Sequence, residues 1–233
     1  IVHAEASWCV SIALSGYIMK LGLVGIFRMC SCLLSCPMLA TFASVIFMVS
    51  LMFILCSYFE LDSKRWLAFM SLSHIVVSFI MLVLGQFGAE CHALLFCLGH
   101  GVSTAVMFMY IWWCYEVVWS RSWLILSVVS SFGFLIQLLC LAGFVMVSSF
   151  PTTLQFFGEI ISLWCVLSLD DLVLIASMCM YLFAGSLVGV ALYGFIVSPF
   201  NNVKVVALMN NSSSLLVCII FLSILNLVMF ILL

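Results

Sequence analysis

The sequence predicts an all-α integral membrane protein with about seven transmembrane helices. Three observations carry that prediction. The 233 residues are 68% hydrophobic and only 6% charged, where a soluble domain carries about 25% charge. Mean hydropathy is +1.46, so lipid or other membrane subunits must cover the surface. The apolar residues also fall into runs of about 20 or more, the length that crosses a bilayer core as helix.

In chain order the runs lie near residues 8–29, 38–58, 65–84, 92–115, 123–169, 172–198 and 213–233. The fifth is too long for one simple helix. It contains Ser148-Ser149-Phe150-Pro151-Thr152-Thr153. Proline removes a backbone donor and clashes one turn back, and the residue before it resists helical angles. This predicts one span broken near Pro151, with two separate short spans as the alternative. Loop charges favour the broken span. With it, Lys64, Arg65, Arg121 and Lys204 share one side, while Glu90, Asp170 and Asp171 share the other. Arg28 is the basic exception, and the pattern fits the positive-inside rule.

Composition excludes several classes. The net charge of -2 and the lack of a basic stretch give no support for nucleic-acid binding. No Gly-rich phosphate loop is present. The chain starts at Ile1 with no charged segment before the first run, so no signal peptide is expected. A first residue other than Met suggests a processed or split chain, or a piece of one. Twelve cysteines lie mostly within apolar runs, where they read as small polarizable hydrophobes. Cys30, Cys32 and Cys36 cluster without a second ligand group or a spaced histidine, so no metal site is expected. Heavy use of Phe, Cys and Leu resembles the biased coding of a small organellar genome.

Titratable groups inside the runs point to function. Lys20 is the only charged residue between Ser7 and Phe27. A lysine at the centre of a membrane helix costs about 2.5–3.5 kcal/mol on insertion scales, which persists mainly where the ammonium has a use. Tyr17 and Gly16 precede it by three and four residues. His74 has Ser71 and Ser78 on its helix face, and His100 has Ser103 and Thr104. Glu159 follows the proline and has Thr152, Gln155 and Ser162 at face-sharing spacings. The bland readings are a snorkelling Lys20, histidines that only pack, and a structural Glu159. Together the groups suit a proton relay, because histidine titrates near neutral pH and buried lysine or glutamate can exchange protons as pairing changes. A broken helix exposes its backbone only where it lines a cavity.

These residues also carry a family pattern. His3-Ala4-Glu5-Ala6-Ser7 followed by Lys20-Leu21-Gly22-Leu23-Val24-Gly25-Ile26-Phe27-Arg28 resembles HVEAP…KLGGYGIIR. Asp62-Ser63-Lys64-Arg65 with Ser73-His74 resembles DLKR…SH, and Gly99-His100-Gly101-Val102-Ser103-Thr104 resembles AHGLTSS. Tyr115-Glu116 and Ser120-Arg121 are similar to YERTHSR, and Phe150-Pro151 with Phe157-Gly158-Glu159 to LP…GE. The ordered set resembles the subunit 4 family among the antiporter-like membrane subunits of respiratory complex I, NADH dehydrogenase. Ser7 in place of proline and Val117 in place of arginine depart from the pattern.

The resemblance implies a fourteen-helix antiporter-like fold of two inverted repeats, each with one broken helix, of which this chain covers the eighth to fourteenth helices. Residues 1–37 would end the first repeat with the lysine helix, 38–198 would form the second repeat, and 199–233 a loop and the final helix. Lys20 would link two half-channels, His74 and His100 would pass protons along the axis, and Glu159 would be the terminal site. Sister subunits 2 and 5 generally carry lysine there. No cofactor is expected in this chain; NADH, FMN, iron–sulfur clusters and ubiquinone belong to the whole complex. Expected partners are other membrane-arm subunits, lipids such as cardiolipin and, if it is separately encoded rather than outside the chain as given, an upstream half carrying the family's fifth-helix glutamate and seventh-helix lysine. The expected place is the mitochondrial inner membrane, with Lys64, Arg65, Arg121 and Lys204 facing the matrix. The expected activity is proton translocation coupled to electron transfer elsewhere. A cation/proton antiporter subunit and an inactive spacer of the membrane arm are the alternatives.

Overall fold

The computed structural model describes residues 5–30, 37–84, 89–130, 133–169, 171–198 and 213–232, and these are helical throughout apart from the connections. Helix α1 covers Trp8–Met29. It is followed by α2 (Pro37–Phe59), α3 (Ser63–Leu84), α4 (Ala89–Val118), α5 (Trp123–Ser130), α6 (Phe134–Val147), α7 (Leu154–Leu167), α8 (Leu172–Val197) and α9 (Ser213–Ile231). Six of these, all but α5, α6 and α7, are long and apolar enough to cross a membrane.

The sequence explains the helices by composition rather than by one-sided patterning. Leu, Met, Phe, Ile and Val fill most faces, as expected where the outer surface meets lipid, apart from buried polar stripes such as Gln155, Glu159 and Ser162. The many serines within the helices return their hydroxyls to carbonyls one turn back, as Ser50 does to Phe47 (2.6 Å) and Ser57 to Ile54 (2.6 Å). That local bond removes the cost of a free hydroxyl in an apolar setting.

Helix α4 is the axis of the bundle. Its 30 residues make it about 45 Å long, and it packs against α1, α3, α5, α6, α7 and α9. Helices α3 and α4 are largely buried, whereas few residues of α1, α2 and α9 are buried. Aromatic packing ties the basic end together, with Trp66, Trp123 and Phe144 in mutual ring contact.

Two connections meet at that end. Ser63 N–H donates to Arg121 carbonyl (3.0 Å) and Trp123 N–H to Leu61 carbonyl (3.1 Å), which gathers Lys64, Arg65 and Arg121. Leu192 and Phe195 near the end of α8 line a cavity with Leu61 and Trp123, so Asp171 at the start of α8 lies at the opposite end. Glu90 opens α4 and Phe27 approaches it, which puts Arg28 at the acidic end. Lys64, Arg65 and Arg121 thus lie at one end and Glu90, Asp171 and Arg28 at the other, as read from the sequence, while Glu60 and Asp62 also sit at the basic end; Asp170 and Lys204 lie outside the described residues.

The stretch 123–169 runs once from the basic end to the acidic end. It is more divided than the predicted single break. A separate helix, α5, precedes the segment around Gly133, which caps α6 in extended backbone. The break at Pro151 lies between α6 and α7, which have 14 residues each. At about 21 Å apiece neither crosses a bilayer core alone. Ser149 adopts a left-handed φ of 55°, and Phe150 N–H turns back to Val145 carbonyl (3.1 Å).

Lys64 differs from its expected place as a loop charge. It is 1% exposed. Its ammonium donates to Ala6 carbonyl (2.6 Å) and sits 4.2 Å from the centre of the Trp8 ring. A long aliphatic stem lets the charge tuck under α1 and hold the start of that helix to α3.

Candidate functional site: a buried polar chain at the broken helix

The break brings four helices to one polar centre. His74 comes from α3, His100 from α4, Gln155 and Glu159 from α7 and Tyr181 from α8, and all five are at most 5% exposed. A small residue makes the approach possible. A Cβ on Gly99 of α4 would lie 2.9 Å from Gln155 N, so only glycine lets the start of α7 pass so closely.

The groups form a connected set. Ser103 Oγ donates to Gln155 Oε1 (3.0 Å), and Gln155 Nε2 donates to His74 Nδ1 (3.1 Å) and to Glu159 Oε1 (3.5 Å). Tyr181 Oη also bonds His74 Nδ1. Ser149 Oγ donates to Glu159 Oε1 (2.6 Å). His74 Nδ1 and Glu159 Oε1 are 3.7 Å apart. The rings of His74 and His100 have centroids 5.1 Å apart. His74 Nε2 and both His100 ring nitrogens have no hydrogen-bond partner among the described residues. Buried nitrogens of this kind are stable when water or a moving proton reaches them.

Lys20 stands apart from that set. It follows a π-helical turn, Leu14–Ile18, a feature frequent at functional sites. Its ammonium donates to Ser15 carbonyl, five residues back, and is half-buried. It lies within electrostatic range of His74, His100 and Cys97. The π turn packs on α4 beside His100, where a Cβ on Gly101 would lie 2.9 Å from Gly16 carbonyl. Tyr17 instead points outward and is 65% exposed.

The other predicted neighbours divide in two. Ser103 and Gln155 join the chain. Ser71, Ser78, Thr104 and Ser162 bond carbonyls of their own helices, at Ala68, Ile75, His100 and Glu159. Thr152 is exposed and precedes α7, so it does not share the Glu159 face. Cys30 is half-buried, while Cys32 and Cys36 lie outside the described residues.

Three residues of the site were not read from the sequence. Tyr181 sits in an apolar run, and its only sequence signal is Ser177 and Gly185 one turn away on either side. Ser149 was read as part of the break, not as a partner of Glu159. Asn226 is the one Asn within the last apolar run. It is 1% exposed, and its Oδ1 accepts from Leu154 N–H (3.4 Å) at the start of α7.

The Glu159 end of the set reaches a cavity of about 260 Å³, lined by Ser149, Pro151, Glu159 and Ser186 among others. The chain is thus a polytopic helical protein with a broken helix, a buried carboxylate near the break and a chain of donors and acceptors leading to it. Residues 1–184 match the family described as NADH:quinone oxidoreductase/Mrp antiporter, transmembrane; the chain belongs to that family. It is 27% identical over 159 residues to NADH-ubiquinone oxidoreductase chain 4 of Ascaris suum, covering 68% of this chain and 39% of that protein. It is likewise 27% identical over 157 residues to the chain 4 of Caenorhabditis elegans, covering 67% of this chain and 38% of that one. These matches thus cover about two fifths of the length of each relative.

Proposed function

We propose that this chain is a proton-translocating membrane-arm component of respiratory complex I, the NADH:ubiquinone oxidoreductase. The observation that carries the reading is the connected set from Ser103 and Gln155 through His74 and Tyr181 to Glu159 at the helix break. The two relatives named as chain 4 support complex I as the setting. Protons pass along the axis by way of Lys20, His100 and His74 to Glu159, which releases them toward the cavity at the break. Histidine can take and give a proton on its two nitrogens, and Glu159 accepts one when its partners turn away.

Electron transfer lies in other subunits, which hold NADH, FMN, iron–sulfur clusters and ubiquinone. It drives this chain through changes in pairing and hydration. Other membrane-arm subunits and lipids such as cardiolipin cover its apolar faces, and an upstream half completes the first repeat beside α1. The site of action is the inner mitochondrial membrane, with Lys64, Arg65 and Arg121 on the matrix side.

The test is Lys20→Ala in the assembled complex, with NADH-driven proton uptake into sealed vesicles as the measurement. Pumping should fall while the complex assembles and oxidises NADH. Normal pumping in the fully assembled variant would overturn the reading. The family description also includes Mrp antiporters; sodium-dependent proton transport without NADH would select that role instead.

A further inference from the structure

The chain from His74 to Glu159 has a gap that its other members do not bridge. His74 Nδ1 and Glu159 Oε1 are 3.7 Å apart, beyond hydrogen-bond distance. Gln155 touches both, but through an amide N–H, which donates a hydrogen bond without passing its proton on. Its carbonyl oxygen already accepts from Ser103. Ser149 reaches Glu159 and makes no hydrogen bond to His74.

Tyr181 has what the gap needs. Its hydroxyl bonds His74 Nδ1 and also interacts with the Glu159 carboxyl. A phenol oxygen donates and accepts at once. The ring is 1% exposed. It packs 5.6 Å from Phe47 and edge-on to His74, with an interplanar angle of 88°. Those contacts hold the hydroxyl between two titratable groups on different helices.

We propose that Tyr181 relays protons between His74 and Glu159. When His74 is protonated its Nδ1 becomes a donor and no longer accepts from Gln155; it gives that proton to Tyr181 Oη as the phenol O–H gives its own proton to the Glu159 carboxylate. One N–H and one O–H bond break, two O–H bonds form, and one proton has moved from imidazolium to carboxylate. Tyr181 ends as a neutral phenol. The imidazole and the carboxylic acid are each neutral, so the step removes a buried charge pair. Once Glu159 has released its proton, rotation of the phenol O–H from His74 back toward Glu159 resets the relay. This inference rests on the proton-translocating reading above.

The test uses Tyr181→Phe in the assembled complex, beside Lys20→Ala as the control for the reading itself. Phenylalanine keeps the packing against Phe47 and removes only the hydroxyl. Proton translocation through this chain should slow about a hundredfold, the lower end of what a positioned acid–base group contributes, with assembly unchanged on native gels. A fluorinated tyrosine at the same position has a more acidic phenol and the same shape. A relay changes rate with that acidity, whereas a hydroxyl that merely positions His74 does not. Parental pumping in Tyr181→Phe together with lost pumping in Lys20→Ala overturns the relay and leaves the reading standing. Parental pumping in both overturns both. If Tyr181→Phe fails to assemble, the fluorinated variant decides, and an unchanged rate overturns the relay.

Discussion

The centre at Glu159 and the site at Lys20 handle a membrane-buried charge in opposite ways. Glu159 is enclosed by α3, α4 and α8, and the side chains it meets come from its own helix, the break and neighbouring helices. Lys20 is half-buried on a helix with few buried residues, and its ammonium is answered by its own backbone at Ser15. The first solution builds a closed network, in which removing one member strands the others. The second leaves the ammonium with a single local hydrogen-bond partner among the described residues, from which it can turn toward another group. A fixed terminal site and a movable donor are what a directional proton path requires.

Glu159→Gln is the largest way to break that comparison. Glutamine keeps the size and can still accept from Ser149, but it cannot carry a proton. Proton translocation should fall by about a hundredfold or more, with the complex still assembled, as read from proton uptake in sealed vesicles. An inactive spacer would tolerate the change.

Gly101→Ala tests how the two sites are joined. The added methyl would lie 2.9 Å from Gly16 carbonyl, which is backbone and cannot swing aside. The π turn must move off α4, carrying Lys20 away from His100. We expect a loss of about 1–3 kcal/mol, seen as a lower denaturation midpoint in detergent, together with reduced pumping. Gly22 and Gly25 on the same helix meet nothing within 4 Å of a built Cβ, so alanine at either should leave both measurements unchanged.

The bundle itself was legible because membrane helices announce themselves by length and apolarity, and because the basic residues gather in a few loops. Lys20, His74, His100 and Glu159 were legible because an intramembrane charge or imidazole stands out against Leu and Phe. What was not legible depends on contacts between helices far apart in the chain. Tyr181 and His74 are 107 residues apart and Leu154 and Asn226 are 72 apart, and helical spacing says nothing about such pairs. The serines misled for a related reason. On paper they line the histidine faces, but a hydroxyl in an apolar helix satisfies itself most cheaply on its own turn. Division of the fifth run before Gly133 carries no proline to announce it, and a lone glycine in an apolar run is a weaker signal of a break.

Asn226→Leu sharpens the enclosed side with a smaller effect. The amide oxygen supplies an acceptor to Leu154 N–H, one of the free donors at the start of α7. Losing it should cost about 1 kcal/mol, in the range of lost helix caps. Hydrogen exchange should then rise at the first turn of α7, with no change at α1. A rise at α1 as well would mean that the two sites are less separate than their partners suggest.

Lys64 and Arg65 give the cleanest contrast, because they are adjacent and equally charged. Lys64 is buried, with Ala6 carbonyl at 2.6 Å and the Trp8 ring below it, so it anchors the helix that carries Lys20. Lys64→Met should loosen the start of α1 at a cost of about 1–2 kcal/mol. Arg65 is 60% exposed and meets Asp62 only at 4.0 Å; Arg65→Met should change stability by less than about 0.5 kcal/mol. Denaturation midpoints of the two variants at low and high salt separate the cases. The Arg65 difference should shrink with salt, because its partner is screened by solvent. The Lys64 difference should persist, because its partners are a carbonyl and a ring that mobile ions do not reach.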